Sequence, residues 1–310
     1  MLVFSHNDCL LKENGLGHPE NKDRLISVMR SIKEINKFKI NLKEAPLAKL
    51  KDISLVHPAE YVKKMFSQIP SDGLISLEEE PYADTLLCPN SRNAILRSCG
   101  AGISSADSLI RDNEKKIFCA IRPPGHHAET IRANGFCFIN NVAVTAKYLI
   151  QNYKLNKIAI IDFDVHHGNG TQEIFYNNKN VAYSSIHEFP LFPGTGAENE
   201  IGVGNIFNAP IKHGTNGYDF IKIFENKVLN PIDKFKPEVI LISAGFDAHK
   251  RDPLSNINLN SKDFYKITKK IVELANIHCE GRIISFLEGG YDLTALSESL
   301  KEHLLALNTI

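Results

Sequence analysis

Five short uncharged runs, apolar but for a few serines, constrain this chain most, at 117–121, 158–161, 181–186, 239–243 and 283–287. Each is rich in Ile, Val or Phe and lacks polar alternation, the pattern of strands covered on both faces. Longer stretches with helical spacing lie between them at 141–151, 217–230 and 261–278, the last with Ser261 as its expected N-cap. Strands alternating with helices imply a mostly parallel sheet in a layered α/β domain. No internal repeat, low-complexity tract or Pro/Gly-rich linker divides the 310 residues, so one domain over 1–310 is expected.

Composition excludes several classes. Lys plus Arg and Asp plus Glu each number 36, and this zero formal charge argues against nucleic-acid binding through bulk positive charge. No uncharged apolar run is long enough to span a bilayer, and the opening MLVFSHNDCLL is too short and polar for a secretory signal. The six scattered cysteines form no C-x-x-C pair. Reduced thiols in a cytoplasmic protein are therefore expected, rather than a zinc knuckle or a disulfide framework.

The polar residues with chemical potential follow the strands, at 122–127, 162–167, His187, Asp247 and 288–291. In an open parallel sheet, ligands bind outside the carboxyl ends of the strands. Asp162, Asp164 and His166 are spaced two apart, so an extended segment puts them on one face. Such a face is costly without compensation, and a divalent cation supplies it; carboxylate plus imidazole suits Zn²⁺ or Fe²⁺, while a hydrogen-bonded strand end is the plain alternative. Asp247, ending the run ISAGFD, offers a further ligand, and three protein ligands with an open position mark a catalytic metal site. His126 and His127 leave the stiff turn Arg122-Pro-Pro-Gly; beside a metal they suit proton transfer, and alone they suit ordinary packing. Tyr291, after two glycines, has a hydroxyl able to hold a developing oxyanion, or is an ordinary loop tyrosine.

Six segments taken in order, RPPGHHAE (122–129), GFCFINN (135–141), DFDVHHGNGTQ (162–172), FPGTG (192–196), SAGFDAH (243–249) and LEGGY (287–291), resemble the zinc-dependent histone deacetylase family, which includes bacterial amidohydrolases. The likeness runs from about His18 to Ser299. It implies the arginase/deacetylase fold, a three-layer α/β/α domain around a mostly parallel eight-stranded sheet. It also implies hydrolysis of acetyl or related acyl groups from lysine side chains by metal-activated water.

Carried over residue by residue, the resemblance makes Asp164, His166 and Asp247 the zinc ligands, His126 and His127 the paired catalytic histidines, and Tyr291 the transition-state tyrosine. Asp162 would orient His126, and Asn169 would pair with His127, as in the class II-like branch. A structural potassium would use Asp162, Asp164, His166, Ser185 and Ile186, and a second would lie near Phe175, Asn178 and Val181. Gly135, Phe136 and Phe192 would wall the substrate tunnel, Asp84 and Leu254 would lie at its rim, and Arg24 near a buried acetate exit. Leu254 stands where polyamine-selective relatives carry Glu, so an acyl-lysine protein or peptide is favoured over an acetylated polyamine or other small amide. An arginase-like dimetal enzyme lacks its D-x-D pattern after Asp247, and a non-catalytic acyl-lysine binder would not need the full residue set. No membrane and no direct nucleic-acid contact is expected.

Overall fold

The computed structural model describes residues 1–78 and 83–309. The strands are β1 (Leu2–Ser5), β2 (Asn41–Glu44), β3 (Ile75–Ser76), β4 (Leu86–Leu87), β5 (Lys116–Cys119), β6 (Ile158–Asp162), β7 (Val181–Glu188), β8 (Ile206–Ile211), β9 (Val239–Ala244) and β10 (Ile283–Leu287). Eight of them build one sheet in the order β2-β1-β5-β10-β9-β6-β7-β8, and every pairing in it is parallel. β3 and β4 form a separate antiparallel pair.

Side chains of the central strands alternate between two cores. Ala159, Ile161, Ile240 and Ile242 pack with Phe163, Phe246, Phe264 and Ile271 on one face. Ile158, Ile160, Val239 and Leu241 pack with Ile95, Val142 and Leu149 on the other. Burial on both faces is why these strands read as uncharged, largely apolar runs. Helices Lys22–Glu34, Ser261–His278 and Leu293–Leu307 contribute to the first core, and Ser91–Arg111 and Asn141–Tyr153 to the second. The result is the three-layer α/β/α arrangement that the resemblance implies.

Three sheet strands fall outside the five apolar runs. Two are the edges: β2 is exposed throughout, and β8 contains Pro210, which has no N–H for a central ladder. The third, β1, is only four residues long. The helix expected over 217–230 is instead an α-helix at Gly217–Ile223, a π-helical segment at Phe224–Leu229 and an α-helix at Asn230–Phe235. The wide turns immediately precede Pro231, which cannot donate to a regular helical ladder. Ser261 is not the N-cap of its helix. Asn260 takes that position, and its backbone N–H donates to Asp263 Oδ2 at 3.0 Å. All six cysteines are buried and unpaired, and among the described residues no helix is long and apolar enough to cross a membrane.

Candidate active site

The segments after β5, β6, β9 and β10, which are neighbours at the centre of the sheet, converge at its carboxyl edge. Asp164, His166 and Asp247 meet there, all buried, with one potential ligand atom from each lying within 4.8 Å of the others. His166 Nδ1 is 3.2 Å from Asp164 Oδ1 and 3.1 Å from Asp247 Oδ2. Backbone donors hold the carboxylates in place: Gly289 N–H donates to Asp164 Oδ2 at 2.8 Å, and Val165 N–H to Asp247 Oδ1 at 2.9 Å. Gly289 tolerates no side chain, because a Cβ would lie 2.6 Å from Asp164 Oδ2 and against Asp247 Oδ2.

Burial and the neighbouring Asp164 push the Asp247 carboxyl up to about 7. Burial opposes charge on Asp164 too, but His126 and His166 prevail and hold it well below the usual carboxylate range. Two carboxylates so close in a dry site call for positive charge between them. Oxygen donors with one imidazole nitrogen fit a divalent cation such as Zn²⁺ or Fe²⁺.

The two adjacent histidines have ring centroids 4.0 Å apart yet sit in opposite fields. His126 Nδ1 lies 3.0 Å from Asp162 Oδ2, and its Nε2 lies 3.9 Å from Asp164 Oδ2. Burial works against its charge, but Asp162 and then Asp164 raise its pKa to about 10. His127 Nδ1 instead faces Asn169 Oδ1 at 2.9 Å. Burial, then the charges of His126 and His166, hold His127 well below 6.5. The two neighbouring imidazoles are thus biased in opposite directions, His126 toward its charged form and His127 toward its neutral one.

A cavity of about 330 Å³ opens onto these groups, lined by His127, His166 and Tyr291 together with Gly135, Phe136, Phe192, Leu254 and Asp84. Pro19 and Leu191 also line it, unsignalled by any motif. Gly135 has φ +52°, and a Cβ there would lie 2.6 Å from His127 Cδ2 and 2.9 Å from Phe192 Cε1, so only glycine lets the wall close in. Asp84 is exposed at the rim, and partial burial together with Glu78 pushes its carboxyl up to about 7.

Three further residues position the site; of these only Asp252 lies outside the motifs and the residues carried over by resemblance. Asp252 accepts from Tyr291 N–H at 2.7 Å through one oxygen and from Leu254 N–H at 3.0 Å through the other, tying the tyrosine to the rim. Glu288 accepts from Gly125 N–H at 2.7 Å and from Ser243 Oγ at 3.1 Å, clamping the turn that presents the histidines. Its place directly after an apolar strand was the available signal. Arg24 lies with its guanidinium carbon 4.9 Å from the Tyr291 ring centroid, and it donates to the carbonyls of Gly290, at 2.6 Å, and Glu288.

Arg24 belongs to a buried charge network. The Glu20 carboxylate accepts from Arg122 Nε at 2.6 Å, Asn14 Nδ2 at 2.8 Å and Arg24 Nη1 at 3.4 Å, and Lys12 donates to Asn14 Oδ1. Burial lowers the Lys12 pKa to about 8, with Glu20 opposing. Burial likewise opposes charge on Glu20, but Arg122, Lys12 and Arg24 outweigh it and hold the carboxyl below its ordinary value.

The residues expected around a monovalent cation divide. Ser185 pairs in register with Asp162, and its hydroxyl meets His187 Nδ1 at 2.9 Å; Ile186 is buried beside it on β7. At the second expected position, the carbonyls of Phe175, Asn178 and Val181 converge on Nδ2 of Asn205, at 2.9, 3.1 and 2.8 Å. Val203 N–H donates to Oδ1 of the same amide at 3.2 Å, so the NH₂ end faces the carbonyls. A side-chain donor takes the place expected for the second potassium, and these residues do not fit that ion.

The family model for the "Histone deacetylase domain" matches residues 18–307. A "Probable deacetylase" of Archaeoglobus fulgidus is 35% identical over 299 residues, covering 94% of this chain and 81% of its own. "Histone deacetylase 14, chloroplastic" of Arabidopsis thaliana is 35% identical over 328 residues, covering 99% of this chain and 76% of that protein. The solved HDA15 HD domain superposes with a TM-score of 0.88 at 32% identity, covering 99% of this chain and 90% of that one.

Proposed function

The chain belongs to the histone deacetylase family and is a deacetylase, an amide hydrolase; on that premise we propose that it removes acetyl groups from lysine side chains in a metal-dependent reaction. The observation carrying this reading is the buried Asp164–His166–Asp247 cluster beside a neutral His127 at a cavity walled by Phe136 and Phe192. Asp164, His166 and Asp247 would hold the cation, zinc by preference and Fe²⁺ as an alternative. When bound, such an ion polarises a carbonyl and makes water acidic enough to attack near neutral pH.

The rest falls to side chains. The aromatic walls take the apolar stem of a lysine and shed water from around it. His127, neutral, accepts the proton of the attacking water at Nε2, since Nδ1 is committed to Asn169. Tyr291 donates its phenolic hydrogen bond to the developing oxyanion. His127, now protonated, passes that proton to the departing amine nitrogen, while His126 stays charged beside Asp162. A structural potassium near Asp162, Ser185 and Ile186 would stiffen the base of this arrangement. Leu254 at the rim is apolar, which favours a peptide-borne lysine over the remote ammonium of an acetylated polyamine. Turnover of acetyl-lysine peptides and of acetylputrescine, each before and after chelation and zinc or iron readdition, tests this. Peptide turnover lost on chelation supports it; chelator-resistant turnover, or turnover of the diamine alone, overturns it.

A further inference from the structure

We propose that Glu129 is a positioning residue for this reaction, fixing the orientation of the Asn169 amide and, through it, the tautomer of His127. The proposal rests on His127 being the proton acceptor, as read above.

An amide side chain has two ends of nearly equal shape, so its partners decide which way it points. Asn169 Nδ2 lies 2.7 Å from Glu129 Oε1 and 3.5 Å from the His127 carbonyl oxygen, while Oδ1 lies 2.9 Å from His127 Nδ1. A carboxylate and a carbonyl only accept, so both require the NH₂ end. With Oδ1 facing the ring, Nδ1 must carry the proton, and Nε2 is left as the acceptor. Reversal would set the amide oxygen against two acceptors and place an N–H against Nδ1. The imidazole proton would then move to Nε2, where it blocks uptake of a proton from water. An aspartate at this position would need no such guide, since either oxygen accepts. Asparagine does need one.

Glu129 is built to serve. Its backbone N–H donates to the Arg132 carbonyl at 2.9 Å, and Arg132 N–H returns a bond to the Glu129 carbonyl at 3.4 Å. Thr130 is held in turn by Glu173, at 3.0 Å through its N–H and 2.7 Å through its hydroxyl. The Glu129 side chain is 27% exposed, and its other oxygen lies 4.0 Å from Arg132 Nη1. Glu129 also lines a groove of about 520 Å³ with Asn169, Phe192 and Thr195, so a direct substrate contact is the competing role.

Four variants separate the roles: Glu129→Ala, Glu129→Gln, Asn169→Asp and the double variant combining Glu129→Ala with Asn169→Asp. They are assayed with a single acetyl-lysine derivative too short to enter the groove, alongside ¹⁵N imidazole NMR with His127 assigned by His127→Gln. Loss of one charge-assisted hydrogen bond shifts the amide's orientational equilibrium by a factor on the order of 10, so Glu129→Ala lowers kcat by up to about tenfold with KM nearly unchanged. Glu129→Gln, which retains an acceptor and the same size, loses less; it decides the matter if the alanine variant does not fold. In the Asn169→Asp background the same deletion costs nothing or restores rate, because two carboxylates no longer face each other. The NMR signal of His127 passes from Nδ1–H toward a mixture with Nε2–H in Glu129→Ala. Equal losses in both backgrounds, an unchanged tautomer, or an effect confined to KM overturns the proposal. Absence of acyl-lysine turnover in the unmodified protein would refute the functional reading instead, and the tautomer comparison would still decide the role of Glu129.

Discussion

Glu20→Gln removes one negative charge from a site with none of it in contact with solvent, and leaves Lys12, Arg24 and Arg122 buried together without a counter-ion. Size and shape are kept, so packing changes little. Breaking a buried pair by neutralising one partner costs about 3–5 kcal/mol. Unfolding entropy near the melting point is roughly 0.65 kcal/mol/K for 310 residues, so the melting temperature falls by about 5–8 °C. The loss has a predictable pH dependence. Burial already depresses Lys12 to about 8, below its ordinary 10.5, so the folded protein holds that proton less tightly than the unfolded chain does. Stability linked to Lys12 therefore rises as pH climbs from about 8 toward 10.5. Without Glu20 the ammonium is held more weakly still, and its relief begins at lower pH. The deficit of Glu20→Gln is thus largest near pH 6–7 and smaller at pH 9, where Lys12 is neutral in both proteins. A remainder persists, because Arg24 and Arg122 do not deprotonate. Paired calorimetric melts at pH 6.5 and 9 read both quantities. A fall under about 1 °C, or a deficit that grows with pH, refutes the reasoning.

Other consequences are equally direct. Tyr291→Phe removes the only phenol lining the cavity among the described residues; kcat falls roughly 10²–10³-fold with little change in KM, and steady-state kinetics near the unmodified rate would remove the hydroxyl from the chemistry. Because His127 is held well below 6.5 and acts as the neutral form, the acid limb of kcat/KM lies below pH 6.5 and disappears in His127→Gln; a limb above 6.5 contradicts this. Asn205→Ala removes the amide donor from three carbonyls, so potassium titration monitored by melting temperature gains a second saturable phase absent from the unmodified protein. No difference between the two titrations refutes the substitution of an amide for an ion.

How much of this was legible depended on burial and on distance along the chain. Strands enclosed by helices, β5, β6, β7, β9 and β10, declare themselves through uncharged, largely apolar runs, and the residues just past their ends carry the chemistry. The edges are silent. β2 is solvated and polar, and β8 interrupts its pattern with Asn208 and Pro210, because an edge strand has fewer neighbours to satisfy. Asp164 and His166 are found by a spacing of two, and Asp247 by its strand end. Lys12, Glu20 and Arg122 are not found, since nothing local says that a lysine near one end and an arginine over a hundred residues later will share a dry carboxylate. Asn205 is hidden for a related reason: what it satisfies is main-chain carbonyls, which leave no mark in sequence.

The all-parallel sheet has a consequence for how the Asp164–His166–Asp247 cluster comes together. His166 and Asp247 are 81 positions apart, and Gly289, which braces Asp164, comes later still. No hairpin can bring them together early, so the cluster and its brace are not assembled until β10 has docked between β5 and β9. The cluster is therefore a late product of folding, complete only when four central parallel strands lie side by side.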